Sequence, residues 1–185
     1  LVGGATLSLW QAHVAKTQAH WAQVEADKAR RTKDFVVSIL QAGDPEQTAN
    51  SARSVVDLLR DADARAETEL ADLPDARAEM HIAIGHSLTS LGHTSEGIGK
   101  LERGAALLRT EGAASRLPLA RALTTLASRY ATSNRLDDAV AASSEARDLF
   151  RQVAGDDNLE QLAAMAVLAR VAGLRARHDE ELALY

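Results

Sequence analysis

IGHSLTSLGHTSEGIGKLERGAALLR (84–109) and LASRYATSNRLDDAVAASSEARDLFR (126–151) align at a constant offset of 42 residues. Ile84-Gly85 falls on Leu126-Ala127, Leu88 on Tyr130, Gly92 on Asn134, Gly97 on Ala139 and Gly104 on Ala146. A further 42 residues on, Leu168-Ala169, Ala172, Ala176 and Glu181 keep the register, and LARVAGLRARHDEELA (168–183) repeats the texture of LASRYATSNRLDDAVA. An Ala-rich bundle assembled without a repeat would also put small residues at its interfaces. It would not return the same small, large and turn positions at one offset, which marks an array of helix pairs.

The small residues have a packing purpose. Two antiparallel helices approach closely only where one side is small. Gly85, Ala127 and Ala169 supply that space on the first helix of each pair, and Gly97, Ala139, Gly104 and Ala146 supply it on the second. Leu88, Tyr130 and Leu101 fill the gaps beside them. Gly92 and Asn134 stand where the chain leaves the first helix through a left-handed conformation that Gly and Asn adopt at least cost.

Upstream, residues 6–41 contain neither Pro nor Gly and are rich in Ala, Gln, Lys and Glu, and Gly43-Asp44-Pro45 closes the segment. These 36 residues predict one long helix, ~54 Å at 1.5 Å per residue. Leu7, Val14, Trp21 and Phe35, with Trp10 and Val24, form an incomplete heptad that Lys28 and Arg31 interrupt. Two readings stand: a coiled coil, giving a homodimer through the N-terminal helix, or a linker helix whose Phe35-Val36 and Ile39-Leu40 dock onto the next helices. A second helix is expected from Thr48 or Ser51 to Leu70, with an apolar stripe of Val55, Leu58, Leu59, Ala62 and Leu70, ended by Leu73-Pro74-Asp75. The chain opens on Leu1, as a piece of a longer protein would. LVGGATLSLW (1–10) is half the ~20 apolar residues of a membrane span. It reads either as the end of such a span, with Trp10 at the lipid–water boundary, or as an apolar helix start that packs.

Composition narrows the classes. Aromatic residues are 3% of the 185, which disfavours a β-rich fold. Three prolines and eleven glycines suit long helices with short turns. A formal net charge of -5 argues against a nucleic-acid partner. With no cysteine there is no disulfide or thiolate metal site.

The repeat positions resemble the tetratricopeptide pattern, and the period resembles the longer subtype of kinesin light chains, whose inter-repeat loop corresponds to VAGDDNLEQLAAMAVLAR (153–170). The match covers residues 78–185, with departures. Gly97 and Gly104 replace alanines, each costing the helix ~1 kcal/mol. Ser143 stands where a large apolar residue is usual, and the third unit would stop partway through its second helix. The front half is similar to the segment after the transmembrane helix of bacterial serine/threonine protein kinases with C-terminal tetratricopeptide repeats. Leu9-Trp10-Gln11-Ala12, Asp34-Phe35-Val36, Gly43-Asp44-Pro45 and Ala71-Asp72-Leu73-Pro74 carry that likeness. It turns residues 1–10 toward a truncated span.

The expectation is therefore an all-α chain: a tetratricopeptide-like α-α superhelix, or solenoid, preceded by a long N-terminal helix. Residues 1–43 are the end of a span plus a juxtamembrane helix, 44–77 a non-repeat helix packing on the array, and 78–119, 120–161 and 162–185 the repeats, the last partial.

No catalytic constellation is legible. Gly3-Gly4 lacks a spaced third glycine and follows no strand, so it makes no phosphate loop. A kinase domain, if there is one, lies upstream of residue 1. His13/His20 and His86/His93 are seven apart, too far for one ion, and no metal or cofactor is expected. The histidines read as solvent-exposed, with His81 and His86 also placed for a peptide groove. Asp72, Asp137, Asp138, Asp156, Asp157, Asp179, Glu180 and Glu181 fit helix starts and turns. Glu67 and Glu69, near the end of the second helix, read as a solvated face. So does the basic run Lys28, Arg30, Arg31, Lys33, flanked by Asp27 and Asp34.

The resemblance implies a ligand groove on the concave side, lined by the first helix of each pair. Its ligand-facing positions fall on Glu79, Ile82, His86 and Thr89, on Arg121, Thr124, Ser128 and Ala131, and on Ala166 and Arg170. Arg121 and Arg170 suit a carboxylate or an acidic side chain. The function implied is non-catalytic: a protein- or peptide-binding sensor or scaffold region of a membrane-anchored bacterial kinase, on the periplasmic or extracytoplasmic face. The alternative is a soluble cytoplasmic adaptor without kinase or membrane link.

Overall fold

In a computed structural model, the described residues are 22–23, 26–39, 41, 54–155 and 159–183. All regular structure among them is helical. The chain forms two units, Leu1–Arg53 and Ser54–Tyr185. In the first, helix α1 holds residues 26–39, where Phe35 is buried while Val36 and Val37 face solvent. Val36 thus departs from the expected docking set. Trp10, the membrane-span end, Leu7, Val14, Trp21, Val24, Leu40 and Gly43-Asp44-Pro45 lie outside the described residues.

The second unit runs α2 (Val55–Glu69), α3 (Pro74–Ser90), α4 (Thr94–Thr110), a 3-10 turn (Ala113–Ser115), α5 (Arg116–Thr132), α6 (Leu136–Ala154) and α7 (Leu159–Ala183). α3 packs on α4 and α5 on α6, while α4 touches α5 and α6 touches α7. The 42-residue offset reappears in the helix bounds: Pro74 and Arg116 begin the first helices, Thr94 and Leu136 the second. α3 therefore starts four residues ahead of the expected boundary at 78. Pro74 at its first position has no N–H to leave unpaired.

Local chemistry explains the ends. Ser54 caps α2, its Oγ accepting from Asp57 N at 3.1 Å, which places the start later than Thr48 or Ser51. Gly92 (φ 89°) and Asn134 (φ 59°) are both left-handed. His93 N–H donates to Leu88 O and Arg135 N–H to Tyr130 O, each at 2.9 Å. Gly92 N–H donates to Thr89 O and Asn134 N–H to Ala131 O. Two identical Schellman closures thus turn the two hairpins.

The small positions meet as expected. A Cβ on Gly85 would lie 2.7 Å from Gly97 O, and one on Gly104 would lie 2.8 Å from Ala78 O. In the second pair the same places are Ala127, Ala139 and Ala146, all fully buried. Around them Leu101, Leu108, Leu119, Leu123, Leu126 and Phe150 close a continuous core, each fully buried large side chain contributing ~1.5–3 kcal/mol.

Two expectations need correction, on α7 and on the stripe of α2. α7 is one helix to Ala183 with no turn at Ala176, because alanine in the register of Gly92 and Asn134 resists the left-handed conformation by ~1–2 kcal/mol. The third unit therefore has no second helix among the described residues. Within the segment expected to be non-repeat, the described α2 adds a register match. The buried Ala62, Asp63 and Ala66 of α2 lie 42 residues before the buried Gly104, Ala105 and Leu108 of α4, so α2 takes second-helix register. Its expected stripe is also reduced: Val55 is exposed and Leu58 and Leu59 are half-buried.

Candidate functional site

α3 and α5, first helices of successive pairs, border a groove of about 580 Å³. Ile82, Pro118 and Ala122 give it an apolar lining with the exposed Ala83 beside them, and the exposed Glu79, His86 and Arg121 border it. Four of the ten residues carried over from the resemblance thus converge. Arg121 arrives already engaged: its Nε and Nη2 donate to Glu160 of α7 at 2.9 and 2.5 Å. This fork raises the Arg121 pKa and lowers that of Glu160, chiefly through the hydrogen bonds. The carboxylate expected from a ligand is, in the free protein, supplied by α7.

The other six separate. Arg170 Nη2 donates to Ser128 Oγ at 3.1 Å and Ser128 O at 3.3 Å, joining two of them across α5 and α7. Thr124 is partly buried and bonds Ala120 O, while Ala166 is exposed. Thr89 and Ala131 are buried and cannot face a ligand. Ten residues along a helix from Glu79 or Arg121 the direction has drifted ~80°. That drift turns Thr89 into the α3–α4 seam, where its Cγ2 lies against Gly97, and Ala131 into the core.

A second cluster lies between α2, α3 and α4. His81, 1% exposed, donates from Nδ1 to Asp63 Oδ1 at 2.9 Å, and its Nε2 stands 3.3 Å from Glu67 Oε1. Lys100 pairs with the other oxygen of Asp63. Arg103 Nη2 is 2.8 Å and Arg77 Nη1 3.6 Å from the Glu67 carboxylate. A cavity of about 310 Å³ lined by Glu67, Arg77, His81, Arg103, Ala106 and Leu107 adjoins them. His81 and Glu67 thus depart from the exposed reading. Each charge has a counter-charge, so the cluster can fasten α2 to the α3–α4 hairpin. Removing one of its two buried members, Asp63 or His81, costs ~3–5 kcal/mol. Asp63 stands where α4 has Ala105, and His81 where α5 has Leu123, a break in register that marks each position as unusual without pairing the two.

A third polar group joins α4, α5 and the turn before α6. Tyr130 Oη donates to Glu102 Oε1 at 2.7 Å, and the Arg135 guanidinium lies 4.2 Å from the ring centroid. Burial, then the bond to Glu102, holds the phenol above its ordinary pKa. No group of three metal-ligating side chains forms among the described residues, and no helix there is long and apolar enough to cross a membrane. No protein-family model and no curated protein matches this chain.

Proposed function

We propose that this chain is a tetratricopeptide-like array that binds a protein or peptide ligand in the α3–α5 groove without catalysis. It would serve as the sensor or scaffold region of a membrane-anchored bacterial serine/threonine kinase, on the extracytoplasmic face. The observation that carries the binding reading is the convergence of Glu79, Ile82, His86 and Arg121 on one apolar-lined groove between successive first helices. An apolar lining with a few placed polar groups is the common chemistry of a peptide site. The kinase and membrane parts rest on the resemblance of residues 9–92 alone.

The test is selection of displayed peptides of about fifteen residues against the folded chain, a length that spans such a groove when extended. Selected peptides are expected to lose binding to a His86→Glu/Arg121→Glu double variant of unchanged helicity. Equal binding to both proteins would remove the groove from the reading.

A further inference from the structure

Among the described residues that line the α3–α5 groove, Arg121 is the one with a permanent positive charge. How its guanidinium is held therefore decides what the groove accepts. Its Nε and Nη2 fork onto Glu160 of α7. A guanidinium carries five N–H groups in one plane, and Nη1 of Arg121 makes no hydrogen bond to any described residue. The fork has two consequences. It converts a point charge into a neutral pair, and it fixes the plane of the guanidinium with the Nη1 edge unused. The Arg121 side chain is 59% exposed and that of Glu160 39%, so an incoming group can reach the pair.

A ligand carboxylate meets this pair in one of two ways. If it displaces Glu160, one two-bond fork replaces another and Glu160 is left without its partner, so little is gained. If it takes the Nη1 edge with Glu160 in place, it meets a guanidinium already neutralised, with a second carboxylate beside it. Glu79, on the α3 side of the groove, is exposed, has no ionic or hydrogen-bond partner among the described residues, and adds to the repulsion. A ligand cation fares no better: it offers Arg121 no lone pair, and an exposed pair with Glu79 is worth only ~0–1 kcal/mol. An uncharged carbonyl can accept from Nη1 without disturbing the fork, and a charged donor makes that bond stronger than a neutral one would. An extended peptide supplies such carbonyls from its backbone, while one apolar side chain covers Ile82, Pro118 and Ala122. We infer that Glu160 is the specificity-determining residue of the groove: it holds Arg121 as a donor for backbone carbonyls, so the groove takes an uncharged, extended apolar segment in place of an acidic one. Glu160 acts through Arg121 and is a positioning residue. This inference rests on the groove reading proposed above.

Displayed peptides selected in parallel against the whole chain and its Glu160→Gln variant, both of unchanged helicity, test this. Wild type should return peptides that share an apolar position without enrichment of Asp or Glu, and Glu160→Gln should enrich both. Fluorescence anisotropy then compares one wild-type-selected peptide with copies carrying Asp on either side of its apolar position. Wild type should bind the Asp copies ~5-fold more weakly, the scale of one charge–charge contact near a surface, and Glu160→Gln should bind them as well or better. In an Arg121→Gln chain the effect of Glu160→Gln should vanish. Enrichment of Asp and Glu, or of Lys and Arg, on wild type would overturn the inference. So would discrimination against Asp that Glu160→Gln leaves unchanged, or an effect of Glu160→Gln that persists without Arg121. Peptides that lose binding to His86→Glu/Arg121→Glu yet give any of these results overturn the inference alone. If no selected peptide responds to that double variant, the groove reading falls and takes this inference with it.

Discussion

Two glycines on one helix, two residues apart, should respond to the same substitution with opposite signs. Gly97 and Gly99 both lie in α4, where Gly→Ala gains ~1 kcal/mol of helix propensity. Nothing stands within 4 Å of a Cβ added at Gly99, so Gly99→Ala should stabilise by ~0.5–1 kcal/mol. At Gly97 the new methyl would lie 2.5 Å from Thr89 Cγ2, 2.6 Å from Gly85 O and 2.8 Å from Thr89 N. Two of those three neighbours are backbone and cannot rotate away. The α3–α4 pair must open, at a packing cost of ~2–4 kcal/mol for a backbone-limited clash. Net of propensity, Gly97→Ala should destabilise by ~1–3 kcal/mol.

Urea unfolding followed by circular dichroism measures the contrast. With a slope of ~1–2 kcal/mol per molar for a unit of this size, the variants' midpoints should differ by ~1–4 M, wild type lying between. Adding Thr89→Ala, the residue type at the same register in α5 (Ala131), removes one clash and leaves both backbone contacts. It should recover only part of the loss. If Gly97→Ala proves as stable as Gly99→Ala, α3 and α4 do not approach as described.

Asn134→Ala should cost ~1–2 kcal/mol in thermal or urea unfolding, and Asn134→Gly should be neutral or stabilising, because only the left-handed turn separates them. Asp63→Ala should lose ~3–5 kcal/mol by leaving His81 and Lys100 without their carboxylate. Adding His81→Leu should restore part of this, and a strictly additive double-mutant cycle would deny the coupling. Ser143, fully buried with its Oγ unpaired, should tolerate alanine or gain up to ~1 kcal/mol, read by the urea midpoint. Of the two tyrosines, Tyr130 should stay protonated in the folded chain where an ordinary phenol ionises. A phenol held above its unfolded value favours the folded state fully below pH ~10 and loses that contribution as pH rises beyond it. Absorbance titration of a Tyr185→Phe variant should therefore show no tyrosinate signal in the ordinary phenol range before unfolding, and ionisation of Tyr130 there in the folded chain would refute it.

What was legible from the residues was whatever depends on backbone space. Gly92 and Asn134 mark a torsion that few side chains adopt, and Gly85, Gly97 and Gly104 mark an approach that a Cβ forbids, so both survive without knowledge of tertiary context. Of the ten positions carried over, Glu79, Ile82, His86 and Arg121 share one groove, while Thr89 and Ala131 turn into packed seams because a stripe stepped at three and four residues drifts around the helix. Asp63 and His81 were not legible as a buried pair. They lie 18 residues apart on different helices, and a charged residue on an otherwise apolar stripe signals solvent unless the facing helix is known.

The polar cluster bears on how a repeating chain keeps its helices in order. α2, α4 and α6 present similar small and apolar stripes, and α3, α5 and α7 present similar partners, so packing alone discriminates weakly among pairings. Asp63 breaks that equivalence. On α3 it meets His81, with Lys100 of α4 beside it. Shifted by one repeat onto α5, it would face Leu123, and its charge would be buried without a proton donor at a cost of several kcal/mol. His81 is equally bound to its place, since Ala105 or Arg147, which share Asp63's register, offers no carboxylate. The cluster therefore need not contribute more stability than an apolar pair would in order to matter. It makes a 42-residue slip expensive at the junction where α2 joins the α3–α4 hairpin, a penalty against the wrong pairing of the kind that specificity requires.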